Sequence, residues 1–130
     1  MVNKYFEATV KTVRDGKKVS EQYIMEAISF TDVETQVNEA FEGMSEFHIV
    51  SIKRSKIIDI DGTGEKFFKA TIETISIDEV NGKEKKFKEQ ILFGAADIDN
   101  AKAIATDYMS EILVPVQLTG IVESKILEVL

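Results

Sequence analysis

The chain has 130 residues, of which 44% are hydrophobic and 30% charged, with 16 basic against 23 acidic side chains and a formal net charge of −7. This is the balance of a folded, soluble chain rather than a disordered one, and its field opposes non-specific attraction to nucleic acid. Cysteine is absent, which excludes disulfides and thiolate metal sites and suits a reducing cytoplasm.

In chain order, residues 4–13 alternate, with Phe6, Ala8, Val10 and Thr12 on one side and Tyr5, Glu7, Thr9 and Lys11 on the other. Period two with β-branched enrichment predicts a strand. Asp15-Gly16 supplies the positive-φ chemistry of a tight hairpin, and a second strand follows over about Val19 to Ser29. At Phe30 the period changes. Thr31 with Glu34 has capping-box spacing, and Val33, Val37, Ala40, Phe41 and Met44 form a helical apolar stripe that Gly43 terminates. A third strand is expected over about Phe47 to Ile60, long enough to need a bend or bulge.

Asp61-Gly-Thr-Gly64 then joins a second copy of the same plan. Lys4-Tyr-Phe-Glu-Ala-Thr-Val-Lys-Thr-Val13 returns as Lys66-Phe-Phe-Lys-Ala-Thr-Ile-Glu-Thr-Ile75, identical at five of ten positions. Asn81-Gly82 stands where Asp15-Gly16 stood, in a loop longer by four residues, and Glu89-Gln90 repeats Glu21-Gln22. Asp97 to Asn100 opens a second helix with Ala101, Ile104, Ala105, Tyr108, Met109 and Ile112 as its stripe. Pro115 marks entry to the last strand, where Ser124-Lys-Ile126 echoes Ser55-Lys-Ile57.

The pattern predicts an α+β fold: a tandem duplication of a β-β-α-β unit, residues about 4–61 and 66–130, with mostly antiparallel sheets and two helices. A right-handed helical crossover puts each third strand beside the first, in spatial order 2-1-3. Halves near 60 residues bury too little surface to stand comfortably alone, so a single domain with pseudo-twofold symmetry is expected. Lys85, Lys86 and Lys88 read as charges that blunt a sheet edge; if they do not, the same edge makes a homodimer.

Few motifs carry chemistry. Asp59-Ile-Asp-Gly-Thr-Gly-Glu65 resembles a calcium loop but lacks the closing bidentate glutamate, so it reads as a glycine-rich joint. His48 is the only histidine and has no readable catalytic partner. No phosphate-cradling loop, nucleophile elbow or paired-carboxylate signature occurs, so a non-enzyme without cofactor or metal is expected. The basic clusters Lys53-Arg54-Ser-Lys56 and Lys83–Lys88 are either solvated faces or, with Phe67, Phe68 and Phe87, a stacking and phosphate surface. Tyr5 and Phe6, matched by Phe67 and Phe68, are either shared core or the lining of a symmetric cleft. The candidate ligand residues are therefore Tyr5, Phe67, Lys53, Arg54, Lys56, Lys86 and Lys88.

Tyr5-Phe-Glu7, the run from Val19 to Glu34, and Glu46 to Arg54 give the chain a further likeness. Through these segments it resembles an uncharacterised family of small proteins from gut anaerobic bacteria and their phages. The resemblance implies an accessory protein of a phage or mobile element, acting in the host cytoplasm, and no site residues. The leading expectation is a protein that binds and blocks a host defence component or a small nucleotide signal, a twofold cleft suiting a symmetric ligand if Lys or Arg approaches from both copies. The alternatives are a single-stranded nucleic-acid-binding accessory of replication or recombination, and a structural or assembly protein. No apolar run reaches the roughly 18 residues of a membrane span and the opening residues are not a signal peptide, so no membrane role is expected.

Overall fold

The computed structural model describes residues 4–44 and 46–130. Its elements are β1 (Tyr5–Arg14), β2 (Lys17–Glu26), α1 (Phe30–Ala40), β3 (Phe47–Arg54), β4 (Ile57–Asp61), β5 (Lys66–Ile77), β6 (Glu84–Ala95), α2 (Ile98–Ser110), β7 (Val116–Glu123) and β8 (Ile126–Val129). They form two four-stranded, mostly antiparallel sheets, ordered β3-β1-β2-β8 and β4-β6-β5-β7, each with one helix. The fold is α+β, and both sheets contain the expected 2-1-3 arrangement.

Alternation in β1 decides the first core. Phe6, Ala8 and Val10 point to the α1 side and are buried with Tyr23, Met25, Val33, Val37 and Phe41. The β1–β2 turn is closed by Asp15 and Gly16 at φ 50° and 76°, the left-handed pair that a two-residue hairpin requires. In the second core Phe68, Ala70 and Ile72 meet Ile91, Phe93, Ala95, Ala101 and Ala105. Here the helix contributes alanines where α1 contributes valines. The β5–β6 hairpin has two more strand pairs than β1–β2, and its loop spans 78–83 where the first spans only 15–16, which is the expected loop extension of four.

The cap of α1 lies two residues before the expected Thr31. Ser29 is extended and its Oγ accepts from the Asp32 amide at 3.1 Å, while Asp32 Oδ2 accepts from the Ile28 amide at 3.0 Å. Ordering Ser29 as the cap ends β2 at Glu26, short of the expected Ser29. Ala40, assigned to the buried stripe from its spacing, is exposed. The expected start of α2 is observed in the same geometry: Asp97 Oδ1 accepts from the Asn100 amide at 2.8 Å, and Asn100 Oδ1 from the Ala96 amide at 3.1 Å. Such reciprocal pairs satisfy amide donors that the helix itself leaves free.

The expected long third strand does not exist as one element. It breaks after Arg54, where the Ser55 amide donates to Tyr5 O at 2.9 Å, and the chain resumes as β4, parallel to β6. The last strand breaks alike: the Ser124 amide donates to Phe67 O at 2.8 Å, and β8 runs parallel to β2. Ile57 and Ile126 begin the two short strands and are 1% and 5% exposed, so burial of one isoleucine accompanies each crossing. The compact units are consequently residues up to Lys56 with Lys125–Leu130, and Ile57–Ser124.

The glycine-rich joint also gains a reason. Since β4 and β5 flank β6, residues 62–65 must cross its end. A Cβ on Gly62 would lie 2.6 Å from Gly94 O, and one on Gly94 would lie 2.9 Å from Gly62 O. Glycine at both positions lets the backbones touch. No helix among the described residues is long and apolar enough to cross a membrane.

Gly94→Ala should destabilise the protein by about 1–3 kcal/mol through overpacking against the joint. Gly16→Ala, with open space around it, should cost about 1 kcal/mol from its left-handed backbone. Urea unfolding midpoints of the two variants check that order.

Candidate binding surface

Strand pairing assigns every side chain on β1, β2 and β3 to a face. On the face away from α1, His48, Lys11 and Ser20 form one cross-strand row, and Val13 and Lys18 lie beside one another in the next. Here the sheet is hollowed by a groove of about 690 Å³, lined by Lys11, Thr12, Val13, Lys18, Val19, Ser20, Glu46, Phe47 and His48. Lys11 and Lys18 are exposed and enter no ion pair among the described residues, as does His48. Thr12 is buried and its hydroxyl donates to Glu46 O at 2.7 Å, tying the start of β3 to the groove floor. Two ammonium groups, an imidazole and a serine hydroxyl on a rigid sheet offer donors to an anion.

The corresponding row of the second sheet is Gln117, Glu73 and Lys88. Glu73 is 7% exposed, and its Oε1 accepts from Gln117 Nε2 at 3.2 Å. An acid stands where the first sheet has Lys11, and its hydrogen bond is made internally. The cationic groove is thus a property of one sheet, not a feature repeated in both.

The residues singled out from sequence are dispersed. Lys53 pairs with Glu7 on the face away from α1, but Arg54 pairs with Phe6 on the α1 face, with its guanidinium 4.8 Å from the Phe6 ring centroid. Alternation along β3 therefore divides this cluster, and Lys56 lies between β3 and β4. Lys86 and Lys88 pair with Ile75 and Glu73 near the hairpin end of β5, whereas Phe67 is at its other end, about 20 Å away at strand rise. Phe87, between those lysines, points to the opposite face. Tyr5 and Phe68 are buried and Phe67 is half-buried. Among the described residues the lysine half of β6 has β5 as its only strand neighbour, because β4 covers just Gln90–Phe93.

In the calcium-like segment two carboxylates are engaged by the chain itself. Asp59 Oδ1 accepts from the Ile60 amide at 2.9 Å and Oδ2 from Tyr108 Oη at 3.0 Å, and Asp61 Oδ1 accepts from the Gly62 amide at 2.9 Å. Among the described residues no group of three or more His, Asp or Glu side chains is placed to hold a metal ion.

With the geometry in place, comparison with known proteins adds one finding. A family model, Domain of unknown function (DUF4494), matches residues 4–130. The chain belongs to the DUF4494 family. No curated protein and no solved structure matches it.

Two tyrosines of this DUF4494 chain are held by carboxylates. Tyr23 donates to Glu21 Oε1 at 3.0 Å, and Arg14 grips the same carboxylate through Nη2 at 3.0 Å and Nε at 3.3 Å. Burial first, and the Glu21 hydrogen bond second, push the Tyr23 hydroxyl up to about 12. Burial and Asp59 do the same for Tyr108, also to about 12. Raised values favour the neutral phenol in the folded state, so their stabilisation is complete below the unfolded value near 10 and is lost as pH rises towards 12. Comparing urea midpoints at pH 8 and pH 11.5, Tyr23→Phe should cost about 1 kcal/mol at pH 8, and the gap to the parent should shrink at pH 11.5.

Proposed function

We propose that this protein is a non-enzymatic binding protein that acts by occupying its ligand, and that the ligand is a small anion such as a nucleotide signal. The observation that carries this reading is the groove with Lys11, Lys18 and His48 on an open sheet face of an otherwise acidic chain. Local cations in a field of opposite overall sign attract a compact anion at contact range without drawing long polyanions from a distance. The setting implied by the sequence resemblance, an accessory protein of a phage or mobile element in a host cytoplasm, is part of the same proposal. A protein there that removes a nucleotide signal needs affinity and no turnover.

The arrangement supports a small ligand over a single nucleic-acid strand. Strand binding combines a basic track with aromatic faces on which bases stack, and here Phe67 and the lysines of β6 lie far apart. It also supports an asymmetric ligand over a twofold-symmetric one, because the counterpart row centres on Glu73.

Isothermal titration calorimetry with ATP, a cyclic dinucleotide and inorganic pyrophosphate tests the reading. At least one should bind, more weakly as salt rises. The Lys11→Gln/Lys18→Gln double variant should lose at least tenfold in affinity, with an unchanged urea midpoint because both side chains are exposed. Blank titrations throughout, or affinity that survives the double variant, overturn it.

A further inference from the structure

The groove of the first sheet is lined in part by the only histidine of the chain, His48. Imidazole is the side chain whose charge ordinarily changes between pH 5.5 and pH 8, a range in which ammonium and carboxylate groups stay ionised. Every charged group that surrounds His48 among the described residues has a known place. Lys11 of β1 is its cross-strand partner, and β2 brings Lys18 and Ser20 to the same face. Glu46, two residues earlier in the chain, also lines the groove. From α1, Glu34 and Asn38 share with His48 the wall of another hollow, of about 530 Å³, beside β3, and neither lines the groove. The groove lining therefore sets Lys11 and Lys18 against Glu46, one net positive charge, and protonation of His48 makes it two.

We propose, on the footing that this groove is an anion site, that His48 couples capture to proton uptake: the anion is held more tightly in mild acid and released as pH rises towards 8. Cross-strand partners stand roughly 5 Å apart, so an anion that contacts Lys11 lies within reach of the imidazolium as well. The place of the ring is fixed by the sheet. Thr12 Oγ1 donates to Glu46 O at 2.7 Å and ties down the start of β3, and the β1–β3 ladder does the rest. Linkage sets the sign. A ligand that prefers the protonated form binds more tightly as pH falls, and once bound it holds the proton on the ring by the same factor. The second sheet has Gln117 in the corresponding row, so the device belongs to one repeat, and glutamine is a side chain that such a position accommodates.

The test is an amide NMR titration with sodium sulfate, a dianion at every pH used. It is run at pH 5.5 and pH 8 at an ionic strength of about 0.15 M, where charges beyond about 8 Å are largely screened. Shifts at Lys11, Ser20 and His48 should show binding at both pH values, about fivefold tighter at pH 5.5. In His48→Gln the ratio of the two affinities should fall below about twofold. His48→Lys, charged at both pH values, should lose the ratio too and bind sulfate more tightly than His48→Gln at pH 8. Ratios are taken within each protein, so a general change in affinity cancels. The ring-proton signals of the single histidine give a check without substitution: they should titrate at higher pH in sulfate than in chloride. A ratio that survives in His48→Gln, or ring signals that titrate alike in both salts, overturns the proposal and leaves the groove standing as an anion site. Absence of sulfate binding at both pH values overturns it too, and the nucleotide calorimetry then judges the groove by itself.

Discussion

Each sheet is organised by a strand that is hydrogen-bonded along both sides. β1 lies between β3 and β2, and β5 lies between β7 and β6. A strand held in this way cannot slip by one residue without exchanging its two faces on both neighbours at once. In β1 that slip would expose Phe6, Ala8 and Val10, each at most 1% accessible, and bury Glu7, Thr9 and Lys11. The cost in lost burial would be several kcal/mol for Phe6 and Val10 alone. The same constraint places Lys11 beside His48 and Ser20, and assigns Lys53 and Arg54 to opposite faces.

This explains which parts of the fold were legible in the sequence. Period-two alternation, Asp15-Gly16 and the stripe through Val33 and Val37 are local signals, and the recurrence of Lys4–Val13 at Lys66–Ile75 exposed the repeated plan. The order 2-1-3 followed from crossover handedness. The identity of the neighbour gained by β4 or β8 was not legible, because Ser55-Lys-Ile57 reads equally well as a continued strand. Nothing in Ile57–Asp61 names β6, more than 25 residues further along, as its partner. The cap of α1 was not legible for a similar reason: Ser29 and Thr31 are both competent caps by residue type, and local sequence does not choose between them.

The candidate surface was only half visible. Once Asp15-Gly16 fixes the hairpin, Lys11 must oppose Ser20 and Val13 must oppose Lys18, so those pairings follow from counting. His48 enters only through the β1–β3 register, where Val50 bulges opposite Thr9 and Val10; an irregularity is expected in so long a strand, but composition does not give its place. Linear proximity misled in the opposite direction. Lys53-Arg54-Ser-Lys56 looks like one patch on paper, but a strand separates adjacent residues by its thickness, and the Arg54 guanidinium lies over the Phe6 ring.

The two short parallel strands have a bearing on chain length. A polypeptide ending near Lys56 would present β2 without β8, which comes from the far end of the chain. Such a fragment could regain β8 only from a second polypeptide that carries residues 126–129, at whatever concentration that polypeptide was supplied. Carrying β8 in the same chain replaces that encounter with a tethered one. Dilution, which dissociates strand-swapped pairs, has no comparable hold on a sheet completed by its own polypeptide.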